Sequence, residues 1–284
     1  MLNQRLRRGE LVKVRRGAYR APHRLSPEAT HLEVVRATIA QTPTPVVASH
    51  VSAGVVHSLP VNRRLLHHVH LLHTGTTRSW TRGGVVRRTR PDIDATIVDA
   101  IPVTTLASTT VDLLRLLGFG DAVAVADCAL RRRVDGEALL AAINAQPGRR
   151  GNGNARAAVQ FADPLSESAG ESHTRVGIAE AGLPAPVLQL ELADDQGVMR
   201  PDFAWPRQRL LAEFDGRVKY SRGVGGDDLE LIHVAEKERE RRLRRLGWWV
   251  VRLVWDDLRS PARLAAVIRD GFEDARPLVE RRRC

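Results

Sequence analysis

Residues 200–216 read RPDFAWPRQRLLAEFDG, two short apolar runs flanking a polar turn, with carboxylates set among the hydrophobic side chains. Strand side chains alternate between faces. Leu210, Ala212 and Phe214 therefore share a face that can enter a core, and Glu213 and Asp215 share the other. If Arg207 and Gln208 form a two-residue loop, Pro206 pairs with Arg209 and Asp202 falls opposite Glu213. Cross-strand neighbours stand about 4.5–5.5 Å apart at Cβ, and like charges there destabilise the pair. A hard divalent cation with oxygen ligands offsets that repulsion. A three-residue loop would instead pair Asp202 with Phe214 and turn the two acids to opposite faces, leaving a solvent-facing acidic strand edge.

The hairpin sits in a strongly basic chain of 284 residues, in which 44 Lys and Arg oppose 33 Asp and Glu for a formal net charge of +11. Such a balance attracts polyanions, nucleic acid first and an anionic membrane surface second. The plainer reading is an arginine-rich solvated surface with no partner. The length suffices for two domains or three compact pieces. Cys128 and Cys284 make neither a disulfide framework nor a zinc site, which fits a reducing cytoplasm. No segment approaches the roughly 18 apolar residues of a membrane span, and no signal-peptide core is present. A cytoplasmic protein without a membrane partner is the expectation.

Four segments are expected. Residues 1–24 carry LVKV, a turn at Arg15-Arg16-Gly17 and AYRAP, a wing-like hairpin displaying Lys13, Arg15, Arg16 and Arg20. These can lie along a phosphate backbone or simply protect an edge hairpin by charge. Residues 25–145 form an α/β middle region. Ser26-Pro27-Glu28 signals a helix start, and HHVHLLH, GGVVRRTR and ATIVDAIPVTTL read as strands. Two helices follow, from Ser108 to Leu117 and from Gly120 to Arg133. His67, His68, His70 and His73 invite a metal reading, but no carboxylates lie nearby and a structural role is preferred. QPGRRGNGNAR (146–156) is expected to be a linker. Residues 157–284 are expected to be a mixed α/β unit: a helix from Ser166 or Ser168, strands near 187–193, 198–205 and 209–215, a charged helix closed by Gly247, the buried strand WWVVRLVW and a last helix after Ser260-Pro261.

In the two-residue-loop register Asp202, Glu213 and Asp215 converge, with Glu171 approaching from the preceding helix. Such an oxygen cluster suits Mg²⁺ or Mn²⁺, with few protein ligands plus substrate phosphates. A metal-activated water would attack a phosphodiester, Lys219 would orient that water or neutralise charge, and Arg239 and Arg252 would contact the phosphate. No P-loop or dinucleotide-binding glycine fingerprint suggests another cofactor.

The strings ESHTR (171–175), GLPAP (182–186), RPDFAWP (200–206), LLAEFDG (210–216) and ERERRLRRLGWWVVRLVW (238–255) together resemble the PD-(D/E)XK nuclease superfamily, in the branch related to very-short-patch repair endonucleases. The resemblance spans about Glu171 to Phe272. It implies a restriction-endonuclease-like central sheet flanked by helices, Asp202 and Glu213 as metal ligands, Glu171 as an accessory acid and DNA as substrate. Asp215 stands where the lysine of the family motif is expected, the E-x-D-G variant, and Lys219 stands near a position often held by histidine. RRGELVKVRRGAYRAP (7–22), ASHVSAGVVHSLP (48–60) and PVTTLASTTVDLLR (102–115) are similar to type IV abortive-infection antitoxins, whose winged-helix region binds DNA. That likeness implies a toxin partner and an alternative function, a non-enzymatic DNA-binding regulator. The helices expected before the wing are missing, so the module is incomplete or begins before this chain.

Overall fold

The computed structural model describes residues 2–75, 78–216 and 226–280, without the side chains of 226–233. The fold is mixed α/β, divided into compact units of residues 1–164 and 165–284. No helix among the described residues is long and apolar enough to cross a membrane.

The first unit opens with a short helix α1 (Leu2–Arg7) and the antiparallel hairpin β1 (Val12–Arg15) and β2 (Ala18–Arg20), with a bulge between Lys13 and Arg15. Helix α2 (Pro27–Ala40) starts where the sequence signals it, with Ser26 Oγ accepting from the Ala29 amide at 3.1 Å and Pro27 in the first turn. A six-stranded mixed sheet follows: β3 (Val47–Ala48), β4 (Val69–His73), β5 (Trp80–Arg82), β6 (Val85–Thr89), β7 (Ala95–Val98) and β8 (Ile101–Thr104). Their spatial order is β5-β6-β4-β3-β8-β7. Val69, Leu71, Val85, Ile101 and Val103 bury against Val35 of α2 and Ala53 and Val56 of α3 (His50–Val56). Helices α4 (Leu106–Leu116), α5 (Phe119–Arg131), α6 (Gly136–Asn144) and α7 (Asn152–Phe161) pack together after the sheet.

Helix α7 begins within the stretch expected to be a linker and covers its residues from Asn152 onward, and the boundary falls later, at Pro164. The polar residues that suggested a linker bridge this helix to its neighbours. Asn152 is buried, and its amide donates to the Ile143 and Gln146 carbonyls, while Asn154 donates to the Leu114 and Leu117 carbonyls. His70 and His73 are buried within β4; His70 Nδ1 lies 3.0 Å from an Arg88 nitrogen, and His73 Nδ1 accepts from the Gly75 amide.

The second unit contains α8 (Ala169–Glu180), β9 (Val187–Leu188), β10 (Leu192–Asp194), β11 (Gly197–Met199), β12 (Phe203–Trp205), β13 (Leu210–Phe214), α9 (Gly226–Arg245), β14 (Trp249–Leu253) and α10 (Pro261–Glu280). The two runs expected as single strands at 187–193 and 198–205 are each divided. Gln189 takes a positive φ of 50°, and β10 and β11 leave to form their own hairpin. The central sheet runs β14-β13-β12-β9. Strands β13 and β14 are parallel, as a helical crossover through α9 permits.

One sheet face buries Phe203, Trp205, Leu210, Ala212 and Leu253 against Ile178 of α8 and Leu264 and Ile268 of α10. The other buries Ala204, Leu211 and Val250 against Leu243 of α9. Ser168 caps α8, its Oγ accepting from the Glu171 amide at 3.2 Å. Gly247, at φ 76°, terminates α9 in the left-handed conformation a non-glycine residue would resist.

Candidate functional site

Strands β12 and β13 pair Trp205 with Leu210, Ala204 with Leu211 and Phe203 with Ala212. This is the two-residue-loop register, and one further step sets Asp202 opposite Glu213. Both lie on the sheet face that carries Ala204 and Leu211, the side covered by α9. In the parallel pairing with β14, Arg252 is level with Glu213. Asp202, Glu213, Asp215, Arg239 and Arg252 line one cavity of about 220 Å³, joined by Glu236. Acids and arginines from strands β13 and β14, helix α9 and the residue before β12 therefore line one cavity.

The hydrogen bonds fix how the acids sit. Asp202 Oδ2 accepts from the Phe214 amide at 2.8 Å, which ties the carboxylate to the end of β13. Glu213 Oε1 is buried without a hydrogen-bond partner and lies 3.0 Å from an Arg239 nitrogen, a charge pairing without hydrogen-bond geometry. Arg239 also donates to the Arg200 carbonyl at 2.8 Å, and Arg252 pairs with Glu236 at 3.2 Å and Glu240 at 3.8 Å.

The expected convergence of three carboxylates on one ion does not occur. Among the described residues no three His, Cys, Asp or Glu side chains meet closely enough to hold a metal. Asp215 donates its amide to the Leu253 carbonyl at the cavity rim. Glu171 is buried and does not line the cavity; its Oε2 accepts from the Glu167 amide at 2.8 Å, and the nearby charge of Asp202 helps raise its carboxyl pKa. Lys219 lies outside the described residues. The working donor set is the pair Asp202 and Glu213. That pair fits a magnesium ion, which is commonly held by one or two carboxylates plus waters and substrate phosphates. Glu213 Oε1, enclosed and without a hydrogen bond, now has the Arg239 guanidinium as its counter-charge, so an ion held here would take over part of that role.

Burial pushes the carboxyl groups of Glu171, Asp202 and Glu213 upward from their ordinary values, Asp202 adding to the rise of the other two, while Arg239 works against it at Asp202 and Glu213. A raised carboxyl pKa means that the folded chain binds protons more tightly than the unfolded chain. Stability then increases as pH falls from the raised values toward the ordinary carboxylate range, and is lost as pH rises through that window. In EDTA, the thermal midpoint of the second unit is expected to rise as pH falls from neutrality toward the ordinary carboxylate range, and Asp202→Asn should flatten that rise. Calorimetric scans across the range check it, and an unchanged slope in the variant contradicts it.

Sequence reasoning missed Glu236 and Gln189. Glu236 stands three residues before Arg239 on α9 and lines the same cavity, a spacing that was readable. The Gln189 side chain hydrogen-bonds Asp202 from the broken segment after β9, which no local pattern marks.

The basic residues of the hairpin divide. Lys13 and Arg16 are exposed. Arg20 is held by Glu33 at 2.8 Å and by the Ala21 and His23 carbonyls, and Arg15 is half-buried with Nη1 enclosed.

Over 211 residues the chain is 36% identical to the uncharacterized protein Rv2248 of Mycobacterium tuberculosis strain ATCC 25618 / H37Rv, a stretch covering 73% of this chain and 75% of that protein. The uncharacterized protein MT2308 of Mycobacterium tuberculosis strain CDC 1551 / Oshkosh matches to the same extent. No family model matches the chain.

Proposed function

The chain belongs to the family of these two mycobacterial proteins, and we propose that it is a DNA-directed, magnesium-dependent endonuclease of the PD-(D/E)XK kind. The observation that carries this reading is the placement of half-buried Asp202 and Glu213 on one sheet face, one step beyond the paired residues of β12 and β13, beside two arginines in one cavity. Asp202 and Glu213 would hold the ion, with Glu171 as an accessory acid behind Asp202. A bound magnesium ion supplies a water of lowered pKa and a polarised phosphoryl oxygen. Arg252 and Arg239 present guanidinium groups whose planar forks match a phosphate. Arg239 now faces Glu213, so binding of substrate would exchange a carboxylate partner for a phosphate partner. Asp215 would anchor the rim of the site, and Lys219 would steady the attacking water. Exposed Lys13 and Arg16 on the hairpin would add sequence-independent backbone contacts.

The second reading is a DNA-binding regulator of the antitoxin type that uses the nuclease fold as a scaffold. It is favoured by Asp215 standing in the lysine position and by Arg239 closing on Glu213. Incubating the protein with plasmid and single-stranded DNA, in Mg²⁺ or in EDTA, separates the two. Cleavage in Mg²⁺ that EDTA and Asp202→Ala both abolish is the expected result. Binding without cleavage, unchanged by the mutation, favours the regulator. In either case log K should fall with log salt by about 0.9 for each duplex phosphate contacted.

A further inference from the structure

We propose that the first unit holds a separate anion site, a pocket that takes a phosphate monoester carried on a hydroxyl-bearing sugar. A cavity of about 400 Å³ is lined by His50, Arg88, Asp112, Arg115, Arg149 and Arg150. That size lies within the range of small-ligand sites. Arg90 closes on Asp112 at 2.6 Å, so five guanidinium groups gather around one carboxylate.

Arg115 and Arg88 are half-buried and held in place. Arg115 Nε donates to Asn152 Oδ1 at 2.8 Å, and an Arg88 Nη lies 3.0 Å from His70 Nδ1. Burial pushes both guanidinium groups below their ordinary pKa, and Arg149 and Arg90 press in the same direction against the attraction of Asp112. Gathering like charges at half-buried positions is costly unless an anion completes the set. His50 and His70 add no charge at neutral pH, since burial lowers them to about 4 and about 3. His50 also adopts a positive φ of 47°, a strained conformation of the kind found at ligand sites.

Asp112 supplies the second half of the argument. It is 97% buried on a 3% exposure, and its Oδ1 takes Arg90. Its Oδ2 has no hydrogen-bond partner, and His50 Nδ1 stands off at 3.8 Å. Buried carboxylate oxygens are seldom left unpaired. A ligand donor beside the arginines would complete it. A phosphate dianion answers the arginine forks, and an adjacent sugar hydroxyl answers Oδ2. The same chemistry occurs in a free mononucleotide and at the 5′-phosphorylated end of a nucleic acid.

The test uses the full chain in EDTA at constant ionic strength. Binding of adenosine 5′-monophosphate and of 5′-phosphorylated and 5′-hydroxyl oligonucleotides is measured by calorimetry. The exposed pair is removed in Arg149→Gln/Arg150→Gln and the half-buried one in Arg88→Gln, with folding checked by circular dichroism. Each lost charge-assisted contact should weaken binding about tenfold, whereas Arg263→Gln, in the other unit, should leave it unchanged. Tighter binding of the mononucleotide identifies a free nucleotide as the ligand, and preference for the 5′-phosphorylated over the 5′-hydroxyl strand identifies a nucleic-acid end. Equal binding by wild type and the double variant, or no binding beyond that seen with chloride, overturns the proposal.

Discussion

Exchanging Asp202 for asparagine is expected to lower magnesium-dependent DNA cleavage by about 10³-fold, the scale on which losing a principal electrostatic group at a reacting centre is felt. The substitution conserves volume, and the asparagine oxygen can still accept the Phe214 amide that Asp202 Oδ2 now takes at 2.8 Å. What disappears is one negative charge opposite Glu213. In metal-free protein that loss removes a repulsion between two half-buried acids, so the variant should be as stable as wild type at neutral pH or more so. Loss of activity with stability kept separates a functional carboxylate from a structural one. A variant that unfolds would show the acid serving the fold instead, and one that cleaves at the wild-type rate would remove Asp202 from the chemistry.

Gly170→Ala is expected to destabilise the second unit by about 2 kcal/mol or more, although alanine is the better helix former. The helix-propensity gain is at most about 1 kcal/mol. Against it, a Cβ at Gly170 would fall 1.9 Å from Phe214 Cε1 and 2.2 Å from Cδ1. Overpacking of a filled core costs about 1–3 kcal/mol, and more where nothing yields. The Phe214 ring cannot move freely, because it stands edge-on to Trp255 at 5.1 Å between centroids. Phe214 also follows Glu213 and bonds Asp202, so the same change should impair cleavage. Gly153→Ala, with open space around the new methyl, is the matched control and should be neutral or stabilising. Denaturant midpoints compare the two, and equal stability of both variants would refute the packing account.

Much of the second unit was legible because its signals are local. The sequence left a two-residue and a three-residue loop open; the turn over 206–209 leaves the two-residue register, and from it the parity of every side chain on β12 and β13 follows. Ser168, Gly247 and Ser260-Pro261 mark helix ends through caps and positive φ that depend on a few neighbours. Tertiary context decided the rest. Gly151 to Asn154 looks like a linker in sequence, yet the asparagines bond carbonyls on α4, α6 and the turn after α6. Glu171 reads as a ligand by type and position, but the Glu167 amide holds its carboxylate. The arginine pocket of the first unit was invisible because Arg88, Arg115 and Arg149 come from separate elements of a chain in which arginine is common.

Direct titration of the protein with magnesium at neutral pH, followed by calorimetry, tests most closely whether Asp202 and Glu213 form a metal site. The account predicts one ion per chain in wild type, with binding lost in Asp202→Asn and in Glu213→Gln and a rise in thermal midpoint confined to the wild type. Magnesium bound equally well by all three proteins, or by none, would contradict it.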